Sequence, residues 1–284
     1  MLSERLSAYA KLMRLDRPIG TILLLWPTLW ALWIAGRGHP DPAIVVIFML
    51  GVLVMRSAGC VINDFADRKI DPHIERTQMR PMATGEVSTR EALTLFTALS
   101  LFALGLVLQL NWETVLLAIP AVLLTISYPF VKRITHFPQV FLGIAFAWGI
   151  PMAFAAQTGT VPLEAWWLLS VNLFWVVGYD TLYAMVDRED DLKIGVRSTA
   201  IIFGRYDLAM VFLCHIVALG LLFWLGRHLD FGVYYYGGLV SAFGFALWQI
   251  SRSRQRSRER CLQAFLNNSW LGAAVFVGLL LNYL

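Results

Sequence analysis

Charge is what this sequence has least of. Asp, Glu, Lys and Arg make up 15% of its 284 residues, against 58% hydrophobic, and the mean hydropathy is +0.64. A soluble domain of this length would carry about a quarter charged residues and would interrupt its apolar runs far more often. The composition therefore excludes an ordinary soluble enzyme and indicates a polytopic membrane protein. Cysteine is sparse too: Cys60, Cys214 and Cys261 show no paired spacing, which argues against a disulfide framework and a thiolate zinc site. The stretch from Met1 to Arg17 carries Glu4, Arg5, Lys11, Arg14, Asp16 and Arg17 with no small-residue cleavage site after it. No signal peptide is expected, so the first apolar run is read as a retained helix. No nucleic-acid partner is expected either.

Apolar sequence of spanning length, about 18 to 25 residues, is present in abundance. Such stretches fall at approximately 19–36, 42–63, 91–109, 112–130, 138–156, 163–186, 207–226, 232–250 and 264–283. Only a turn near Asn111 and Trp112 divides the third from the fourth. The expectation is one all-α membrane unit over residues 1–284, with nine transmembrane helices. Pro27, Pro120 and Pro151 lie inside spans as candidate kinks. The 11 Trp and 9 Tyr suit a protein with many membrane interfaces.

Basic residues set the orientation. Arg5, Lys11, Arg14 and Arg17 precede the first span, Arg68, Lys69, Arg76, Arg80 and Arg90 follow the second, and Lys132 and Arg133 follow the fourth. Arg188, Lys193, Arg197 and Arg205 follow the sixth, and Arg252, Arg254, Arg256, Arg258 and Arg260 the eighth, whereas only Arg37 and Arg227 lie on the other side. The positive-inside rule then places the N-terminus in the cytoplasm and the C-terminus outside. The five alternating arginines at 252–260 read as an anchor of this kind rather than as a substrate site.

Two acidic clusters break the apolar pattern, Asn63-Asp64-Phe65-Ala66-Asp67-Arg68-Lys69-Ile70-Asp71 and Tyr179-Asp180-Thr181-Leu182-Tyr183-Ala184-Met185-Val186-Asp187-Arg188-Glu189-Asp190-Asp191. An ionised carboxylate beside hydrocarbon costs roughly 2.5 kcal/mol or more unless compensated. Both clusters end spans on the cytoplasmic side, so they can share one site. Positions 63, 67 and 71 recur at helical spacing, as do 179, 183, 187 and 191, so each helix presents an acidic stripe. Oxygen donors without His or Cys suit a hard ion, and Mg²⁺ is commonly held by one or two carboxylates plus substrate phosphates. Arg76, Arg80, Lys132, Arg133 and Arg197 lie on the same side, and Arg76 and Arg80 are expected on a short cap helix ended by Pro81. Carboxylates, Mg²⁺ and cations together describe a pocket for a diphosphate, and the lipid setting gives that diphosphate a hydrophobic tail. Arg56 stands apart, inside the second span and two turns before Asn63. It is either half of a buried salt bridge or a partner for a ligand carboxylate.

The pattern Asn-Asp-x-x-Asp-x-x-x-Asp followed by Arg-Thr-x-x-Arg-Pro, with Tyr-Asp-x-x-Tyr-Ala-x-x-Asp-x-x-x-Asp downstream, resembles the signature pair of the UbiA-type intramembrane prenyltransferases. Leu15-Asp16-Arg17-Pro18-Ile19-Gly20-Thr21 and Tyr128-Pro129 extend the likeness over nearly the whole chain. The run from Tyr179 to Thr199 is most similar to the bacterial 4-hydroxybenzoate polyprenyltransferases of ubiquinone synthesis, with Arg197 where many relatives have Lys. The resemblance implies a helical bundle around a central cavity, with short cytoplasmic cap helices, in the bacterial inner membrane. It implies Mg²⁺ at Asn63, Asp67, Asp187 and Asp191 with Asp64 and Asp71 in support, and Asp67, Asp187 and Asp191 central to catalysis. Arg76, Arg80 and Lys132 are implied on the polyprenyl diphosphate, Tyr183 and Arg197 among the substrate-binding residues, and Arg14 and Arg56 as candidates for the carboxylate of 4-hydroxybenzoate. The implied reaction attaches the prenyl group at the 3-position of that acid, the ring proton going to Asp191 or to the diphosphate. Two alternatives are a relative acting on a naphthoate or on haem, and a membrane cation transporter. A transporter usually sets its acidic residues near the bilayer midplane, whereas these lie at span ends. A CDP-alcohol phosphotransferase would show an Asp-Gly-rich motif that is missing.

Overall fold

The computed structural model describes residues 2–131 and 133–284. Among them the regular structure is helical throughout: α1 (Leu2–Leu12), α2 (Ile19–Ala35), α3 (Pro42–Asp67), α4 (Thr89–Val107), α5 (Trp112–Val131), α6 (Pro138–Ala147), α7 (Gly149–Thr158), α8 (Leu163–Ile194), α9 (Thr199–Phe203), α10 (Asp207–His228), α11 (Val233–Ser253) and α12 (Arg258–Tyr283). Seven segments are long and apolar enough to cross a membrane: α3, α4, α5, α6 with α7, α8, α9 with α10, and α12. The two further stretches expected as spans are also helical but fall outside that set. α2 has only 17 residues, and α11 mixes Tyr234, Tyr235, Tyr236, Ser241 and Gln249 into its apolar sequence.

Local chemistry sets the boundaries. Asp41 caps α3 by accepting from Ala43 N at 2.7 Å, with Pro42 at the first helical position, where its missing N–H costs nothing. Ser88 and Glu91 form a capping box on α4. Asn111 separates α4 from α5: its Oδ1 accepts from Thr114 N at 3.1 Å while its amide donates to Ala155 O at 2.6 Å. Of the three candidate kinks, Pro151 coincides with a break. α6 ends at Ala147, the residue four back, whose carbonyl a proline ring crowds. Pro27 and Pro120 lie inside unbroken helices.

α11 and α12 make the closest helix pair. A Cβ on Gly238 would sit 2.7 Å from Ala274 O and 2.9 Å from Gly278 Cα, an approach that only small residues permit. The main core joins α2, α8, α10, α11 and α12 around Trp30, Trp175, Tyr179 and Tyr235. α3 packs against α2, α4 and α5, and α8 against α6, α10 and α12. α3 and α8, which carry the two acidic clusters, do not form a packed pair.

Candidate functional site

The first cluster occupies the last turn of α3 and the short connection beyond it. Asn63, Asp64 and Asp67 are helical, but the helix ends at Asp67 and Asp71 opens a 3-10 turn, Asp71–His73. The expected stripe through 63, 67 and 71 is therefore helical only as far as 67. The cause is Pro72, which has no N–H for the carbonyl of Arg68 four residues back and crowds it with its ring, together with Thr77, whose hydroxyl donates to Asp71 O at 2.9 Å. Asp64 is fully buried and Asp71 nearly so. Arg14 Nη2 donates to both oxygens of Asp64 at 2.8 Å, and Arg80 Nη1 reaches Asp64 at 3.0 Å and Asp71 at 3.0 Å. Burial pushes the Asp71 carboxyl up, against the pull of Arg80. For Arg80, burial favours loss of the proton, but Asp64 and Asp71 outweigh it and the net shift is upward.

The second cluster lies on α8, which runs beyond its apolar stretch to Ile194. Tyr183, Asp187 and Asp191 follow one another at helical spacing, with Asp187 and Asp191 7% and 6% exposed. Arg76 grips this face. Its Nε donates to Asp187 at 2.9 Å, its Nη1 donates to Tyr183 Oη, and its guanidinium stands 4.4 Å from the centre of the Tyr183 ring. Burial opposes the charge of Arg76, but Tyr183 and Asp187 prevail and keep it firmly protonated. Arg76 and Arg80 lie on successive turns, not on the cap helix expected there. Pro72 and Pro81 bracket the segment, and the buried Thr77 hydroxyl ties its backbone back to Asp71. In effect one segment with two arginines joins the ends of two helices that do not otherwise pack.

The other expected residues divide. Lys132 lies outside the described residues. Arg197 donates to Ile134 O at 2.6 Å, and Arg133 to Ala66 O at 2.5 Å. Arg14, a candidate for the aromatic carboxylate, is paired with Asp64 instead. It reaches that acid from a left-handed backbone position, φ 59°. Arg56 is different. Among the described residues no carboxylate pairs with it, and its Nε is buried without a hydrogen-bond partner. It stands 5.7 Å from the Phe146 ring centre and fills the space that a Cβ on Gly20 would need. Of the two readings of Arg56, the buried salt bridge is the one this arrangement does not make.

Two groupings leave no local pattern in the sequence. Asp207, fully buried, accepts from Arg188 at 2.5 Å and from Arg256 at 2.9 Å. Arg258 reaches Glu75 at 2.7 Å, Asp190 at 3.0 Å and Glu189 at 3.2 Å, tying α12 to the residue beside Arg76. Two of the five alternating arginines therefore hold the acidic end together, in addition to any anchoring role. Opposite charge on the same side of the membrane is the only hint of these pairs, since partners so distant in the chain make no local pattern.

Among the described residues no three His, Cys, Asp or Glu side chains converge into a metal cage. Asn63, Asp67, Asp187 and Asp191 supply oxygen donors from both helices, with guanidinium groups beside them. Such a donor set fits a divalent hard cation with a multiply charged phosphate between α3 and α8.

Residues 24–274 match the model of the UbiA prenyltransferase family. The chain is 59% identical over 282 residues to a 4-hydroxybenzoate octaprenyltransferase of Nitrosomonas eutropha, covering 99% of each. It is 54% identical over 283 residues to one of Methylococcus capsulatus, covering 100% of this chain and 97% of the relative. Its fold is that of a UbiA homolog from Aeropyrum pernix K1, with a TM-score of 0.82 at 24% identity over 93% of this chain and 98% of that one. A UbiA homolog from Archaeoglobus fulgidus bound to GPP and Mg²⁺ superposes with a TM-score of 0.73 at 17% identity, over 96% and 99%. Membrane-spanning helices, paired acidic helix ends bridged by arginines and a match across most of the sequence have one common explanation: the chain belongs to the UbiA prenyltransferase family.

Proposed function

We propose that this protein transfers a polyprenyl group from polyprenyl diphosphate to the 3-position of 4-hydroxybenzoate, releasing diphosphate, as a step of ubiquinone biosynthesis. It acts as one membrane-embedded unit in the bacterial inner membrane, with its acidic end facing the cytoplasm. The observation that carries the acceptor assignment is likeness over almost the full length, at 59% identity, to a protein of that activity. The geometry supports this reading: an anionic aromatic acid needs an interior cation, and among the described residues no carboxylate pairs with Arg56, whose Nε is buried without a hydrogen-bond partner.

Arg76 and Arg80, with Lys132, hold the diphosphate, so charge that develops on the leaving oxygen meets fixed cations. Asp64, Asp71 and Asp187 keep those arginines in position, and Tyr183 fixes the plane of Arg76. Mg²⁺ bound by Asn63, Asp67, Asp187 and Asp191 would supply further neutralisation of the departing diphosphate. Arg56 takes the carboxylate of the acceptor. The ring carbon ortho to the hydroxyl then attacks C1 of the prenyl chain as its C–O bond breaks, in an interior that keeps water from the allylic cation.

Purified protein in detergent, given Mg²⁺ and one long-chain prenyl diphosphate, is tested against 4-hydroxybenzoate, a dihydroxynaphthoate and haem. The expected product is 3-polyprenyl-4-hydroxybenzoate. Turnover on the naphthoate or haem alone would reassign the acceptor, and cation flux in vesicles without any prenylated product would remove the enzyme reading.

A further inference from the structure

Below the layer of paired acids and arginines, each of the two helices carries one more charged residue at the same offset. Arg56 lies seven residues before Asn63 on α3, and Asp180 seven residues before Asp187 on α8. Seven residues are two helical turns, so each stands on the same face as its motif and about 10 Å deeper in the bundle. Asp180 is half-buried. Gln139 lies on α6, which packs against α8, and its Oε1 accepts from Thr199 N at 3.1 Å. Neither Arg76, which is taken by Asp187, nor Arg56 forms an ion pair with Asp180. The deeper layer thus holds a cation on α3, its Nε buried without a hydrogen-bond partner, and a carboxylate on α8, with no ion pair between them. Nearby phenols do not fill the gap: Tyr128 donates to Gly59 O at 3.2 Å, and the Tyr179 hydroxyl is buried without a partner.

An interior carboxylate and an interior guanidinium left apart are costly on both sides. A ligand with an anion at one end and a hydrogen-bond donor at the other relieves both. We propose that Asp180 is a catalytic residue, the base that faces the phenol hydroxyl of the acceptor while Arg56 holds the carboxylate at its other end. This inference rests on the acceptor assigned above. As the bond between the ring carbon and C1 of the prenyl chain forms and the C1–O bond breaks, Asp180 takes the phenol proton and the ring passes to a dienone. The hydrogen on the newly bonded carbon then leaves as a proton to the released diphosphate, and the phenol oxygen recovers its proton from Asp180. The carboxylate ends as it began, with no oxidant or reductant required.

The test compares wild type, Asp180→Asn and Asp180→Glu on 4-hydroxybenzoate and on 3-fluoro-4-hydroxybenzoate, whose more acidic phenol depends less on a base. Binding of a prenyl thiodiphosphate with Mg²⁺ is the control for folding and for the diphosphate half of the site. Asp180→Asn is expected to lose about 100-fold or more in kcat on 4-hydroxybenzoate, to lose markedly less on the fluorinated acid, and to keep wild-type thiodiphosphate binding, with Asp180→Glu recovering part of the rate. Turnover of Asp180→Asn near wild type, an equal loss on both acids, or Asp180→Glu no better than Asp180→Asn would overturn the proposal. Loss of thiodiphosphate binding would overturn it too, by placing Asp180 in the diphosphate half. Failure of the wild type itself on 4-hydroxybenzoate is a separate result, one that removes the acceptor assignment before any variant is measured.

Discussion

At the scale of single residues, Arg56 and Gly20 form a unit. A charge inside a spanning helix is retained where it faces the bundle interior and meets an anion, and the guanidinium of Arg56 rests where Gly20 lacks a side chain. Gly20→Ala should therefore displace the far end of a flexible side chain, with little effect on stability, and move the cation that receives the acceptor's carboxylate. A hydrogen bond to a charged group contributes about 1.5–3 kcal/mol, so KM for 4-hydroxybenzoate should rise roughly tenfold or more, with KM for the prenyl diphosphate unchanged. Steady-state kinetics with each substrate varied in turn checks this, and an unaltered KM for the acid would separate Arg56 from the acceptor. Arg56 can be singled out in the sequence because a lone cation interrupts an apolar run. The need for Gly20 cannot, because a missing Cβ matters only when another helix brings something into its place.

At the scale of elements, the linker between α11 and α12 and the first turn of α12 carry two arginines of unequal weight. Arg256 faces Asp207, which is fully buried and shared with Arg188, while Arg258 faces the less deeply buried Asp190, 10% exposed, and the exposed Glu75 and Glu189. Taking the only partner from a buried ionic group costs about 3–5 kcal/mol, less where a second partner stays, as Arg188 does at Asp207, whereas exposed pairs contribute about 1 kcal/mol or less. Arg256→Ala should lower Tm by a few degrees, and Arg258→Gln by less, since Asp190 keeps Lys193 at 3.4 Å and the other two pairs are exposed. Thermal melts of the two purified variants decide it, and equal shifts would contradict the assignment. The alternating arginines look alike in sequence because the positive-inside rule asks only for charge on one side. Element ends are hard to place for a related reason. Hydropathy marks where the lipid stops and not where the helix stops, so α8 runs on through its acidic cluster to Ile194, whereas Pro72, with no N–H for the carbonyl of Arg68, ends α3 at Asp67.

At the scale of the whole molecule, the membrane class and the meeting of the two acidic clusters are legible because both follow from composition and from the side on which each span ends. The number of crossings is less so. Nine apolar stretches can be drawn, but seven helical segments reach spanning length and hydropathy, since α2 is short and the Tyr-rich α11 is diluted with polar groups. Nor does the sequence show that α3 and α8 stay apart and are joined by the segment bearing Arg76 and Arg80. That separation has a thermodynamic consequence. A diphosphate with Mg²⁺ that engages carboxylates and arginines of both helices binds the folded bundle and not the unfolded chain, so it adds RT ln(1 + [L]/Kd) to stability, about 2.7 kcal/mol at a hundredfold excess over Kd. For a protein of this size that corresponds to a rise in Tm of about 5 °C. A prenyl thiodiphosphate should produce this shift in wild type only with Mg²⁺ present. EDTA should abolish it, and so should Asp67→Ala or Asp191→Ala, one substitution on each helix. A full shift in either variant would mean that the ligand is held by one helix end alone, and the two acidic clusters would then not form a single site.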